Sequence, residues 1–324
     1  MDASAYTFYT IQSRMMDRLT SIYYHLGEVQ ARHLHRPAPN LEKAYRVSAV
    51  HATLALEGNP LEPLPVAELV SRPVRNRGPE ALEVVNTHSV LALLEDLDPA
   101  MAQDLRRAHG VLMHGLAIDA GHYRTGPMEV VYSEPPPLRV ASAENLPAEV
   151  EELLHMVEND DASPVITSCV LHYGLAYLRP FSAGNGRLAR MWQRRLLMRQ
   201  WPVFAFLPTE AFILGTEPAY YAALEYADRQ GDCGGFITYL LERIDEALAE
   251  LLEMPDPVRR GVDRVDLFLQ QAPSRPFRRK DYLAVFPSLS TASGSRDLRD
   301  AVDSGRLQRD GDGRATVYRK GGAL

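Results

Sequence analysis

Gly184, Asn185, Gly186, Arg187 and Arg190 fall within seven residues of the stretch LRPFSAGNGRLAR, Leu178 to Arg190. Their types and spacing suit an anion. Glycines let backbone N–H groups come close to a ligand, and a helix that starts near Arg187 adds its own unsatisfied donors. Arg187, Arg190 and Arg194 follow at spacings of three and four, so they share one helical face. Two adjacent guanidiniums over such a cradle match a di- or triphosphate. The strip itself contains no histidine, carboxylate or cysteine. An ordinary glycine-rich helix entry with solvated arginines remains, on these residues alone, an equal alternative.

Apolar residues at helical spacing dominate the rest of the chain, and strand signals are few. Helices are expected over IQSRMMDRLTSIYYHLGEVQARHL, LEKAYRVSAVHATLALEG, PEALEVVNTHSVLALLEDL and MAQDLRRAHGVLMHGL. GHYRTGPMEVVYSEPPPLRV, with its glycines and Pro triplet, reads as a flap or small hairpin. Helix resumes in AEVEELLHMVEND and PVITSCVLHYGLAYL, then in RLARMWQRRLLMRQW, PAYYAALEYADRQGD and GFITYLLERIDEALAELLEM. PDPVRRG marks a linker. Beyond it, three short helices precede a hairpin around Asp310-Gly311-Asp312-Gly313, a turn rich in residues that tolerate positive φ. That is the order of a winged helix-turn-helix. The expected fold is mainly α: a helical core with a β-hairpin flap, plus a small C-terminal winged helix-turn-helix. The expected bounds are 1–100 for an N-terminal helical region, 101–254 for the core, 255–262 for a linker and 263–324 for the winged helix.

A chain of 324 residues, 46% of them hydrophobic, can fill more than one core. It contains no run of about 18 uncharged apolar residues, so no membrane span is expected. With only Cys169 and Cys233 there is no disulfide framework and no CxxC, and the first residues lack a secretory pattern. A cytoplasmic protein with both cysteines in its cores is the expectation. The net charge of −7 is uneven. Asp263 to Leu324 holds twelve Arg and Lys against eight Asp, a balance of +4, which leaves −11 for the remainder. A basic tail on an acidic body suggests an anionic partner. Arg296 and Arg299 in the second helix of the helix-turn-helix, with Arg309 and Arg314 on the wing, are candidates for DNA phosphates. Two features weigh against DNA: the charge is modest, and Gly294 inside that helix costs about 1 kcal/mol relative to Ala. Protein contact and support of a dimer are equal options for the tail.

The opening strip resembles the signature of Fic-domain (Fido) proteins, His-Pro-Phe-x-Asp/Glu-Gly-Asn-Gly-Arg-x-x-Arg. LHYGLAYLRPF is similar to the helix leading into that signature, and GHYRTGPMEVV to the start of the target-docking flap. PAYYAALEYADRQGD resembles the helix over the adenine. TLALEGN, Thr53 to Asn59, resembles the inhibitory motif Ser/Thr-x-x-x-Glu-Gly/Asn found N-terminal to some Fic cores, which places Thr53, Glu57 and Gly58. The basic tail is similar to a winged helix often appended to them. The resemblance implies a core that binds ATP or another nucleotide and moves AMP to a hydroxyl of a target protein, whose identity the sequence does not give. It implies that Gly184, Asn185, Gly186 and Arg187 cradle phosphates, that Arg190 takes the γ-phosphate, and that Tyr221, Leu224 and Asp228 lie near the base. It also implies that Glu57 pairs with Arg190 and displaces the γ-phosphate from its productive pose. Homodimers are common in proteins of this layout.

Two positions depart from the signature. Arg179 stands where the family has its general base, and Ala183 where it has the acidic Mg²⁺ ligand. Arginine stays protonated, with a pKa above about 12, and cannot take a proton from a hydroxyl. Alanine holds no metal, so no metal site is expected and Mg²⁺ loses its ligand. General-base catalysis contributes about 10² to 10⁴ in rate, so ordinary AMP transfer is expected to be impaired. His172, two helical turns upstream, is expected to be a packed core histidine. The alternatives are a metal-independent transferase, with Arg179 supplying charge and a flap carboxylate such as Glu129 as base, and a DNA-binding regulator that uses the helical body as a scaffold.

Overall fold

The computed structural model describes residues 8–32, 34–35, 37, 39–73, 78–128, 142–159, 162–253, 261–271, 276–286, 289–311 and 316–321. They form two compact units, Met1–His35 with Glu42–Leu252, and Arg36–Leu41 with Glu253–Leu324. Among the described residues no helix is long and apolar enough to cross a membrane.

The larger unit is built of helices joined by loops, with no strand among its described residues. α1 (Ser13–Ala31) buries Met15, Leu19, Ile22, Leu26 and Val29, a stripe at alternating spacings of four and three. α2 (Pro39–Ala55) is followed by α3 (Pro63–Ser71), a short helix the sequence reading did not anticipate. It opens with proline at its start and buries Val66, Leu69 and Val70. α4 (Pro79–Leu93), α5 (Ala102–Leu112) and α6 (Leu146–Asn159) complete the first half.

The centre is the pair α7 (Pro164–Leu178) and α8 (Asn185–Met198). α7 is buried almost all round, which its near-continuous apolar sequence dictates. Ser163 caps it by accepting the Val165 N–H at 3.3 Å, with Pro164 at the first position. Gly174 lets α6 approach, since a Cβ there would stand 2.5 Å from Leu153 Cδ1. α8 begins at Asn185, two residues before the expected start. α9 (Thr209–Leu214), α10 (Glu217–Gln230) and α11 (Gly234–Glu253) close the unit. Cys169 and Cys233 are buried free thiols.

The smaller unit contains α12 (Gly261–Gln271), α13 (Arg279–Val285), α14 (Thr291–Asp303) and the antiparallel strands β1 (Leu307–Asp310) and β2 (Val317–Lys320), registered Leu307 to Lys320 and Asp310 to Val317. α12 starts inside the span read as a linker, whose residues 255–260 lie outside the described residues. Phe277 adds a bridge to Tyr318 on the far side of β2. The core holds Val265, Phe268, Phe277, Tyr282, Phe286 and Leu298. Buried Asp297 ties it together, taking Arg264 at 2.6 and 2.7 Å and the Tyr282 hydroxyl at 2.9 Å. The mainly α class and the C-terminal hairpin agree with the sequence. The body of the expected flap hairpin, with Glu129, lies outside the described residues, as does Arg314 on the hairpin turn.

Candidate functional site

α7 ends at Arg179, a residue with φ 46° and ψ 63°. Among the described residues it is the non-glycine residue in the left-handed region, a conformation that costs an L side chain roughly 1–2 kcal/mol. Arg124 holds this turn. Its backbone N–H donates to the Pro180 carbonyl at 3.0 Å, and its Nε to the Arg179 carbonyl at 2.8 Å. The helix end thus gains a buried cation beside its free carbonyls.

The loop that follows is pinned from several sides. Phe181 stacks on the His109 ring at 3.7 Å. The Asn185 side chain accepts the Phe181 N–H at 3.0 Å and donates to its carbonyl at 2.7 Å, closing the loop on itself. The Gly121 N–H donates to His109 Nδ1 at 2.9 Å, which leaves Nε2–H to donate to the Ala183 carbonyl at 2.9 Å. Burial lowers the His109 pKa to about 4 despite that last bond, so the ring is neutral. Gly184 has φ +76°, and a Cβ on it would lie 2.8 Å from Met113 Sδ. Only glycine fits both demands.

The loop and the start of α8 open into a hollow of about 660 Å³. Gly184, Asn185, Gly186, Arg187 and Arg190 line it, and so do Arg179 and Ala183. Tyr221 and Leu224 of α10 and Glu57 from the turn after α2 face the same space. Arg190 donates from Nε to Thr53 Oγ1 at 2.8 Å, and from Nη2 to the Thr53 carbonyl at 3.0 Å and Glu57 Oε1 at 2.7 Å. Burial by itself would lower the Arg190 pKa. The Glu57 charge and hydrogen bond, together with Tyr220 and Tyr221, outweigh it and raise the pKa, so the guanidinium is firmly cationic. Gly186 sits against this pair: a Cβ there would stand 2.3 Å from Glu57 Oε1. Gly58, at φ +83°, turns the chain out of α2 after Glu57.

Three placements differ from the sequence reading. Arg194 does not join Arg187 and Arg190 at the hollow; its charge is taken by buried Glu210 at 2.5 Å. Asp228 does not line the hollow but accepts the Tyr173 hydroxyl at 3.0 Å, and burial raises its pKa. Arg187 has a carboxylate neighbour, Glu83 of α4, at 3.2 Å. Glu83, His109 and Tyr220 were not anticipated, and each comes from a helix remote in sequence. Tyr220 lines the hollow and donates to His172 Nε2 at 2.9 Å, while Nδ1–H of that ring donates to Gln193 Oε1 at 2.7 Å. Burial lowers the His172 pKa to about 3, so it is a neutral core histidine beneath the site.

What the hollow can do follows from what it lacks. Its carboxylates, Glu57 and Glu83, are both held by arginines, and position 183 offers a methyl group. Mg²⁺ needs near-octahedral oxygen ligation through a carboxylate, and this donor set does not fit it. Among the described residues no group of three His, Cys, Asp or Glu could hold a metal. Phosphate does fit. Arg187 and Arg190 are more than nine-tenths buried, and Arg187 Nε and Arg190 Nη1 have no hydrogen-bond partner. Buried donors left unmade are costly. No side chain caps the N-terminus of α8, so its first N–H groups face the same space.

Comparison with known proteins bears on this arrangement. Residues 97–197 match the model of the Fic/DOC family. A Nematostella vectensis protein named protein adenylyltransferase Fic is 28% identical over 204 residues, 60% of this chain and 44% of that protein. Protein adenylyltransferase fic-1 of Caenorhabditis elegans is 26% identical over 213 residues, 61% of this chain and 40% of its own length. The chain therefore spans less than half of these curated relatives. The crystal structure of a Fic family protein from Desulfovibrio desulfuricans G20 is 27% identical with a TM-score of 0.72, covering 98% of both chains. Fic-1 from C. elegans, at 18% identity and a TM-score of 0.58 over 74% of this chain and 72% of its own, shares the fold.

Proposed function

We propose, from the premise that residues 97–197 form a Fic/DOC family domain, that this chain binds a nucleoside triphosphate at the start of α8 and is impaired in ordinary AMP transfer. The observation that carries the binding half is the pair of buried, incompletely bonded guanidiniums of Arg187 and Arg190 beside an uncapped helix N-terminus. A polyphosphate satisfies those donors and the helix end together. Tyr221 and Leu224 offer the base an aromatic and an apolar surface in the same hollow.

The transfer half turns on proton and charge. In AMP transfer a target hydroxyl attacks the α-phosphorus, pyrophosphate leaves, and the hydroxyl proton needs an acceptor. Arg179 cannot accept it. His172 lies buried, with both ring nitrogens engaged by Gln193 and Tyr220. The donor set of the hollow, with Glu57 and Glu83 paired to arginines and a methyl group at position 183, does not fit Mg²⁺. A second reading is favoured by one observation: Arg179 lines the hollow with Arg187 and Arg190, placing three cations where a metal-independent transferase would need them.

Glu57 fits the role of a restraint. It occupies the Arg190 guanidinium that a terminal phosphate would otherwise engage. Glu57→Gly is expected to tighten ATP binding several-fold.

The deciding experiment combines calorimetry with labelling. ATP is expected to bind the parent with the same affinity in Mg²⁺ and in EDTA. From ATP labelled at the α-phosphate, the parent transfers nothing, whereas Arg179→His/Ala183→Asp begins to modify itself in Mg²⁺. No heat of binding under either condition sinks the nucleotide reading. Label transfer by the parent overturns the impairment, and only transfer that persists in EDTA supports the second reading.

A further inference from the structure

The +4 of residues 263–324 is concentrated in one place. Three of its aspartates are taken up by cations: Asp297 by Arg264, Asp266 by Arg306 and Asp310 by Arg319. A fourth, Asp281, caps α13 by accepting the Arg278 N–H. A separate hollow of about 630 Å³ lies among α13, α14 and the hairpin. Arg278, Arg279 and Lys280 line it at the start of α13, Arg299 on α14 and Arg309 on β1, against Asp303 as the carboxylate among its lining residues. Arg278, Arg279, Lys280 and Arg299 are exposed, and their side chains pair with no carboxylate among the described residues.

Hydroxyls stand between the cations. Thr291, Ser295 and Tyr318 line the same hollow, and Arg279 already donates to Ser295 Oγ at 2.9 Å. Arg, Lys, Ser, Thr and Tyr are the side chains that contact nucleic-acid phosphates and sugars. The basic surface also continues beyond the hollow. Arg296 is exposed one helical turn before Arg299 on α14, where it neighbours that residue. A single small anion would need the hollow alone, whereas a run of phosphates uses the extension too. Three short helices with a β-hairpin match the winged helix-turn-helix order.

We infer that this surface seats the sugar-phosphate backbone of duplex DNA. The Arg279 and Arg299 side chains make the central phosphate contacts, and Arg296 reaches the next phosphate along the strand. Both objections visible in the sequence have structural answers. The modest net charge is focused, because three of the eight aspartates pair with arginines outside the hollow and, among the described residues, a single one lines it. Gly294 is the place where α14 meets α13, since a Cβ there would stand 2.7 Å from Leu283 Cδ2. The inference shares no residue with the nucleotide reading and stands without it.

The test is fluorescence anisotropy of the full chain with a labelled, mixed-sequence duplex of about two helical turns, across a salt series. Binding is expected in the micromolar range, weakening steeply with salt. Arg279→Ala/Arg299→Ala is expected to lose at least about tenfold in affinity at low salt and to lower the salt slope by about two. Arg279→Lys/Arg299→Lys keeps most of the binding, and Arg107→Ala, an exposed cation of the other unit, leaves it unchanged. Absence of duplex binding at the lowest salt overturns the inference, and so does binding that the double alanine variant retains. If tripolyphosphate binds through Arg279 and Arg299 and the duplex does not, the hollow is a small-anion site and the DNA assignment fails.

Discussion

Two arginine-lined hollows in one chain are built on opposite principles. In the helical unit, Arg187 and Arg190 of the hollow, and Arg194 outside its lining, are buried, and each is matched to a carboxylate from another helix or turn: Glu83, Glu57 and Glu210. In the C-terminal unit, Arg278, Arg279 and Arg299 are exposed and have none among the described residues. Burial explains the difference. An unpaired buried charge is heavily penalised, so an arginine in a core comes with a counter-charge that any ligand must displace or share. A surface arginine carries little penalty and can wait for its anion with no internal partner. For the anions proposed here, the first design would give a restrained, shape-specific site and the second a permissive one governed by salt.

The largest test of that contrast is energetic. Arg194→Met leaves Glu210 buried beside the open Phe204 carbonyl, which now accepts Arg194 Nη1 at 2.7 Å. A loss of about 3–5 kcal/mol is expected from stranding one partner of such a pair. Arg194→Met/Glu210→Leu should recover most of it. Arg299→Ala should change stability by no more than about 0.5 kcal/mol. Urea denaturation followed by tryptophan fluorescence reports the helical unit, because Trp192 and Trp201 are the two tryptophans in the sequence, and hydrogen exchange across residues 279–303 reports the Arg299 variant. A cost for Arg194→Met below about 1 kcal/mol would mean that burial does not govern these arginines.

Much of the lining of the first hollow was legible because its information is local. Gly184, Asn185, Gly186, Arg187 and Arg190 lie within one loop and two helical turns, so residue type and spacing alone suggest their shared target. Arg194 shows the limit of that logic. It continues the same helical face, yet Glu210, sixteen residues on, decides where its charge goes. His109 and Glu83 lie 74 and 104 positions before the residues they serve, and nothing in helical periodicity announces such a meeting. α3 escaped notice because nine residues between proline-rich borders carry too few apolar positions to establish a period. Gly294 misled in the other direction: it was read as a weak helix residue, and the structure makes it a point of contact.

A second test separates the units by pH. All ten histidines precede Met191, so the C-terminal unit titrates none between neutrality and pH 4. His109 and His172 have folded pKa values of about 4 and about 3, both lowered chiefly by burial from the usual 6.5. For a base whose folded pKa is lowered, stability is complete above 6.5 and falls on acidification, because the unfolded chain binds the proton first. Each ring should cost about 1.4 kcal/mol per pH unit below 6.5, until its own folded pKa is reached. The tryptophan-reported transition should therefore weaken between pH 6.5 and 4. His172→Gln, which can still bond Tyr220, should flatten the slope by one proton. An unchanged slope would show that His172 is charged in the fold, contrary to its bonding.

The smallest effect concerns the permissive hollow and its dependence on one glycine. Alanine at 294 should gain up to about 1 kcal/mol of helix propensity, yet its methyl would meet Leu283 Cδ2 at 2.7 Å and Leu289 Cδ2 at 3.5 Å. Leu283 is half-buried, so its end can move, and the overpacking cost lies near the low end of about 1–3 kcal/mol. Gly294→Ala alone is expected to come out destabilising by roughly 1 kcal/mol or less. In a Leu283→Ala background the obstacle is gone and the same change should stabilise by a similar amount. Hydrogen exchange across residues 279–303 measures both, since the unit holds no tryptophan. The sign is the informative quantity. Should Gly294→Ala stabilise both backgrounds equally, α13 and α14 do not touch through that position, and the hollow they wall would owe its shape to the hairpin instead.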